Sequence, residues 1–236
     1  MNYDWTKSMD ENSLGSQGGL NLQDSLNPAG NYGLSDFDVR QHYAGTAIYT
    51  LPFHSNIFVS GYRLTTIVQY QTGSPVNILA SSDSFNGVAG VVRPNILGKI
   101  SVQKVQTAGL ANVTFIQNPA GAVCYESTIT SACTYEVLET TPTSGVYNSV
   151  GNIQRNAGIG PGFADVDLSG EKETVLFRNV KFTLRADAFD ILNHPNFSQP
   201  TGNVQSATFG QISATRFATS DGGSSRQLQI SGKFTF

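Results

Sequence analysis

Period-two alternation, connections of unequal length and a scarcity of charge predict an all-β chain. The fold class is an antiparallel up-and-down transmembrane barrel fragment of about six strands, with short periplasmic turns and long extracellular loops. Of 236 residues, 13% are Asp, Glu, Lys or Arg, against about 25% in an ordinary soluble domain. Hydrophobic residues make up 39%, so Gly, Ser, Thr, Asn and Gln fill the place of the missing charge. That mixture suits strands and long loops with one surface on lipid and the other on water.

Taken in chain order, residues 1–9, with Tyr3 and Trp5, read as the end of a strand. Residues 38–51 are strand-like with a noisier alternation. In 62–71, Tyr62, Leu64, Thr66, Val68 and Tyr70 oppose Arg63, Thr65, Gln69 and Gln71, and Ile67 breaks the rule. Residues 163–168 set Ala164, Val166 and Leu168 against Asp165 and Asp167. Residues 181–187 set Phe182, Leu184 and Ala186 against Lys181, Thr183, Arg185 and Asp187. In 225–236, Leu228, Ile230, Phe234 and Phe236 share one face with Gly232 between them, and Gln227, Gln229, Ser231, Lys233 and Thr235 share the other. A period of two gives a strand one apolar and one polar face. Gly, Pro and β-branched residues interrupt every helical pattern of comparable length. No apolar run approaches the roughly 18 residues of a membrane helix.

The connections separate into two kinds. Residues 52–61 and 177–180 are short; 10–36, 79–160 and 195–224 are long. A transmembrane barrel segregates its loops in this way, and a soluble sandwich has no reason to. Phe37, Tyr49, Phe53, Tyr62, Phe163, Phe177, Phe189, Phe197, Phe234 and Phe236 cluster near strand ends. Interfacial girdles and the ordinary enrichment of aromatics in strands both account for that.

Several functions have no support. The formal net charge is −3 without a Lys/Arg run, which leaves nucleic-acid binding no electrostatic basis. Residues 1–10 lack the basic start and apolar core of a signal peptide, so the export signal is expected to lie outside this chain. No nucleophile motif, phosphate-binding glycine loop or paired-carboxylate pattern occurs, and no enzyme activity, cofactor or metal is expected. His42, His54 and His194 lie on separate segments, and His194 before Pro195 suits a turn. Asp165 and Asp167 share a strand face, as a calcium-binding or acid pair would; two carboxylates facing a wet lumen explain them more simply. Cys124 and Cys133 match no zinc or redox spacing. They are either unrelated thiols or a local disulfide on an extracellular loop, and paired cysteines in an exported loop are usually bonded.

Short motifs run through most of the chain: Gly33-Leu-Ser-Asp-Phe-Asp-Val-Arg40, Tyr49-Thr-Leu-Pro-Phe53, Gln71-Thr-Gly-Ser-Pro75 and Arg93-Pro-Asn-Ile-Leu-Gly98. Asn156-Ala-Gly-Ile-Gly-Pro-Gly-Phe-Ala-Asp-Val-Asp-Leu-Ser169 and Arg185-Ala-Asp-Ala-Phe-Asp-Ile-Leu-Asn-His-Pro-Asn-Phe197 follow. In order and spacing they resemble the C-terminal barrel of TonB-dependent outer-membrane receptors of the Oar-like group; 99–150 carries no such motif. The resemblance implies a bacterial outer-membrane location and uptake of a bulky nutrient such as an iron chelate or an oligosaccharide. It implies that 1–236 is the C-terminal part of a larger barrel, with 79–160 a long extracellular loop and the plug domain absent. The implied partners are outer-membrane lipid, the remaining strands and plug, the TonB complex and the barrel-assembly machinery. Phe234 and Phe236, on an amphipathic last strand, correspond to the signal that this machinery reads. The competing expectation is a secreted, soluble β-sandwich that binds carbohydrate or acts as an adhesin. Alternation alone fits both, because a sandwich buries the apolar face that a barrel turns to lipid.

Overall fold

The computed structural model describes residues 1–13, 22–24, 27–53, 56, 58–80, 92–102, 113–114, 116, 121–125, 129–137, 150–177, 180–216 and 225–236. Six strands form one antiparallel sheet: β1 (Asn2–Trp5), β2 (Gln41–Thr50), β3 (Tyr62–Gln71), β4 (Phe163–Phe177), β5 (Val180–Phe189) and β6 (Gln227–Thr235). Their order in the sheet is their order in the chain, so every connection is a simple up-and-down turn.

The register explains why the pattern was readable. Tyr43, Tyr70 and Ala164 line up across three strands, and Leu64 lies opposite Gly170. On the other side of β4, Leu168 pairs with Ala188, and on β6 Leu228, Ile230 and Phe234 oppose Ala188, Ala186 and Phe182. These residues share one face. The apolar face is bare: Leu228 is 76% and Ile230 78% exposed. A sandwich would bury that stripe against a second sheet, so the sandwich expectation fails.

The strand between 163 and 168 is much longer than its alternation suggested, running to Phe177. Past Leu168 its outward positions are Gly170, Lys172 and Thr174, which carry no apolar signal. The segment is held extended by ladders on both sides, from Phe163–Gln71 to Lys172–Tyr62 and from Leu168–Ala188 to Phe177–Val180. Residues 1–9 also differ from expectation. The strand stops at Trp5, and Met9–Asp10 pairs instead with Gly33–Leu34. Ile67 sits on the polar face, opposite Thr46 and Asp167.

All long connections leave one end of the sheet. They run from Trp5 to Gln41, from Gln71 to Phe163 and from Phe189 to Gln227, whereas the short connections, from Thr50 to Tyr62 and from Phe177 to Val180, leave the other end. The long loops fold together into a cap. Short ladders join Pro75–Val76 to Gly158–Ile159, and Tyr135–Val137 to both Asn95–Ile96 and Val123–Tyr125. Another joins Gln211–Ile212 to Val113–Thr114. The apolar core lies here rather than against the sheet: Val76, Ile78, Ile116, Tyr135, Val137, Ile153, Val204 and Phe209 are buried together. One glycine shows how close the chain passes itself. A Cβ on Gly73 would stand 1.8 Å from the carbonyl oxygen of Gly160, a distance that no side chain tolerates.

Candidate functional site

Two surfaces carry polar chemistry: the second face of the sheet and the interior of the cap. On the sheet, Arg63, Thr65, Gln69, Asp167, Ser169, Glu171, Glu173, Lys181, Arg185, Asp187 and Gln229 point the same way, because the strand period sets them opposite one another. Arg63 lies 3.5 Å from Glu171, Lys181 2.9 Å from Glu173 and Arg185 2.8 Å from Asp187. Ser169 also donates to Asp187. Carboxylates and cations interleaved on one face, with bare apolar side chains on the other, suit a wall between water and hydrocarbon.

Aromatics mark the two rims of the apolar face. Trp5, Tyr3, Tyr43 and Tyr70 lie near the cap. Tyr49, Tyr62, Phe177, Phe182, Phe234 and Phe236 lie near the short turns. Tyr62 and Tyr70 are eight residues apart on β3, about 26 Å of strand at ~3.3 Å per residue. At the ~35–45° tilt of barrel strands this rises roughly 20 Å, most of the ~25 Å apolar band of a membrane barrel. Lys172 is a cation on this face, and it curls back to the turn. Its Nζ sits 4.3 Å above the Tyr62 ring and donates to the Phe58 carbonyl at 2.8 Å, so the charge leaves the lipid-facing surface.

Inside the cap, Arg93 and Asn156 from the motifs, with Arg155 just before the latter, bind loops that are distant in sequence. Arg155 donates to the carbonyl of Asp10 at 2.9 Å, to Asp36 Oδ1 at 3.3 Å and to Ser13 Oγ at 3.2 Å, and it pairs with the Asp10 carboxylate. Burial lowers its pKa from the usual arginine value. Asn156, at φ 57°, donates to the Leu34 carbonyl at 2.7 Å and to Asp36 Oδ1 at 2.6 Å. Arg93 is 3% exposed, and its acceptors are neutral: Asn31 Oδ1 at 2.7 Å and the carbonyls of Ile153 at 2.9 Å and Gly30 at 3.1 Å. Burial lowers its pKa to about 10.

The residues singled out in the sequence fall in different places. Cys124 and Cys133 are bonded to each other in the cap, with their Cα atoms 5.8 Å apart. Phe234 packs its ring 4.8 Å from that of Phe182, and Phe236 is 92% exposed at the short-turn end. Asp167 accepts from the Asp190 N–H at 3.0 Å, which ties the turn after β5 to β4. His194 donates its N–H to Asp190 at 3.0 Å within that turn, and His42 Nδ1 lies 3.7 Å from Asp4. His54 lies outside the described residues. Among the described residues no three His, Cys, Asp or Glu side chains converge as metal ligands would. The buried Arg93, Asn31 and Arg155 cluster escaped the sequence reading. Its signal was available: arginines inside loops of a charge-poor chain are costly unless they hold something together.

A sheet with one lipid-suited face, one charged face, rims of aromatic residues and its loops segregated by length defines an outer-membrane β-barrel protein. The family profile described as "outer membrane beta barrel domain" matches residues 1–229. The chain belongs to that family and is a protein of the bacterial outer membrane. No curated protein and no solved structure matches it.

Proposed function

We propose that the chain is part of a TonB-dependent outer-membrane transporter, or receptor, for a bulky nutrient. The observation that carries the reading is the cap. The Oar-like motifs at 33–40, 93–98 and 156–169 supply Asp36, Arg93 and Asn156, the side chains that knit the first and second long loops together. Such a rigid, polar-lined cap over a charged sheet face suits capture of a ligand outside the membrane and its passage along a wet interior. Six strands leave two ladder edges, at β1 and β6. Open edges are not tolerated in hydrocarbon, where each unpaired backbone group costs several kcal/mol. We therefore assign the sheet to the C-terminal part of a larger closed barrel, with a plug against the charged face, and no catalytic role.

The test is uptake by cells carrying the complete gene. Outer membranes should hold the protein, and accumulation of its nutrient should stop when TonB is deleted or the inner-membrane proton gradient is collapsed. Uptake that continues at the same rate under both treatments refutes TonB dependence while leaving the barrel in place.

A further inference from the structure

The cap contains a cavity of about 270 Å³ beside the 3₁₀ turn Pro28–Asn31, and the walls include Gln23, Asp24, Asn27, Asn31, Arg93 and Asn152. Among the described residues no aromatic side chain lines it, so they offer no platform for stacking. Its chemistry is an excess of buried donors. The Arg93 guanidinium is spent on neutral acceptors, and among the described residues no carboxylate stands within ion-pair distance of it. Asn31 is 1% exposed; its Oδ1 accepts from Arg93 and from the Gln23 N–H, and its Nδ2 has no acceptor among the described residues. A buried cation without an anion and a buried amide donor without an acceptor are each costly alone. One negatively charged acceptor would satisfy both.

We propose that this cavity binds a small monocarboxylate, held between the Arg93 guanidinium and the Asn31 amide. Asp24 on the same wall disfavours a dianion such as phosphate, because like charge at close range raises the cost of the second negative charge. The surrounding amides of Asn27 and Asn152 offer donor and acceptor types that match hydroxyl groups, whereas the Gln23 amide is already bonded at both ends, to the Arg93 N–H and the Gly151 carbonyl, so a hydroxylated acid fits better than a plain fatty one. The volume is at the small end for ligand sites and admits one sugar-acid unit rather than a chain. This site goes beyond the transport reading and does not rest on it, since a binding site in the cap would serve any outer-membrane barrel.

The experiment is ligand titration of the complete barrel that carries this chain, in detergent, by calorimetry, with galacturonate, galactose and inorganic phosphate as probes. Galacturonate is expected to bind about tenfold or more tightly than either of the others, a difference of about 1.4 kcal/mol per decade. Asn31→Asp keeps the shape, retains the acceptor for Arg93 and places a carboxylate where the ligand's would go. It should abolish galacturonate binding while raising the melting temperature of the cap. Asp24→Asn should tighten galacturonate and reduce its preference over phosphate. Equal affinity for galacturonate and galactose overturns the proposal, as does binding that survives Asn31→Asp. Should Asn31→Asp fail to fold, unchanged binding in Asp24→Asn overturns it on its own. Failure here leaves TonB-dependent uptake untouched, so the two readings fail separately.

Discussion

Tyr135 sits at the centre of the cap with no exposed surface, its ring edge-on to Phe209 at 5.3 Å and 88°. Its hydroxyl is buried without a hydrogen-bond partner among the described residues, and burial pushes the phenol up to about 12 from its ordinary 10. Tyr135→Phe keeps the ring contact and removes the stranded hydroxyl. Leaving such a group unsatisfied costs about 1–3 kcal/mol, so the variant should be more stable than the parent near neutral pH. The pH dependence has a definite sign. The phenol ionises at about 10 when the cap is open and at about 12 when it is closed. The cap's stability is therefore complete below pH 10 and is lost as pH climbs towards 12. At about pH 11 the open form has gained about one pKa unit of advantage, or about 1.4 kcal/mol. The other tyrosines ionise in parent and variant alike and cancel in the comparison. Denaturant melts of the cap, followed by near-ultraviolet circular dichroism at about pH 8 and about pH 11, measure the difference. The variant's advantage should widen by about 1.4 kcal/mol at the higher pH. A constant difference, or a variant several kcal/mol weaker at both, refutes the account of Tyr135.

Arg155→Met should leave Asp10 and Asp36 without their shared cation and cost about 3–5 kcal/mol of local stability; hydrogen exchange should speed up in 6–40 and 150–160 and stay unchanged in the strands. Phe236 is 92% exposed, so Phe236→Ser removes few protein contacts and at most the ~1.5–3 kcal/mol of one apolar side chain facing lipid, yet assembled protein in the outer membrane should fall far more than that if the terminal aromatic is an assembly signal; normal levels would exclude the signal. Mass mapping without reductant should recover the Cys124–Cys133 peptide from exported protein, and the bond should contribute about 2–3 kcal/mol to local order; two free thiols count against it.

The sheet was legible because lipid and water impose opposite demands on alternate residues, as in β3 and β6. It faded where that demand relaxed. In β4 the outward positions beyond Leu168 are Gly170, Lys172 and Thr174, and only the neighbouring ladders reveal a strand. The cap was opaque for another reason. Arg155 meets Asp10 across 145 positions and Arg93 meets Asn31 across 62, and no local pattern encodes a partner that far away. Of these residues only Arg93 falls within a motif, and the motif does not say what it does. Cys124 and Cys133 stood out because they are close in sequence; Asn31, which lines the cavity with Arg93, is one of many asparagines.

The water-excluding core of this molecule lies in its loops, while its strands keep their apolar side chains on the outside. Each half is then stabilised by a different solvent, the cap by water and the sheet by the bilayer. Urea, alkali and heat in detergent act first on the cap, and removal of lipid or detergent acts first on the sheet. A thermal scan is accordingly a record of two melts rather than one, and a single transition temperature has no defined meaning for the chain. Substitutions sort in the same way. Leu228 to a polar residue is a membrane defect that a soluble assay would miss, whereas Val137 to a polar residue is a folding defect that membrane insertion would tolerate.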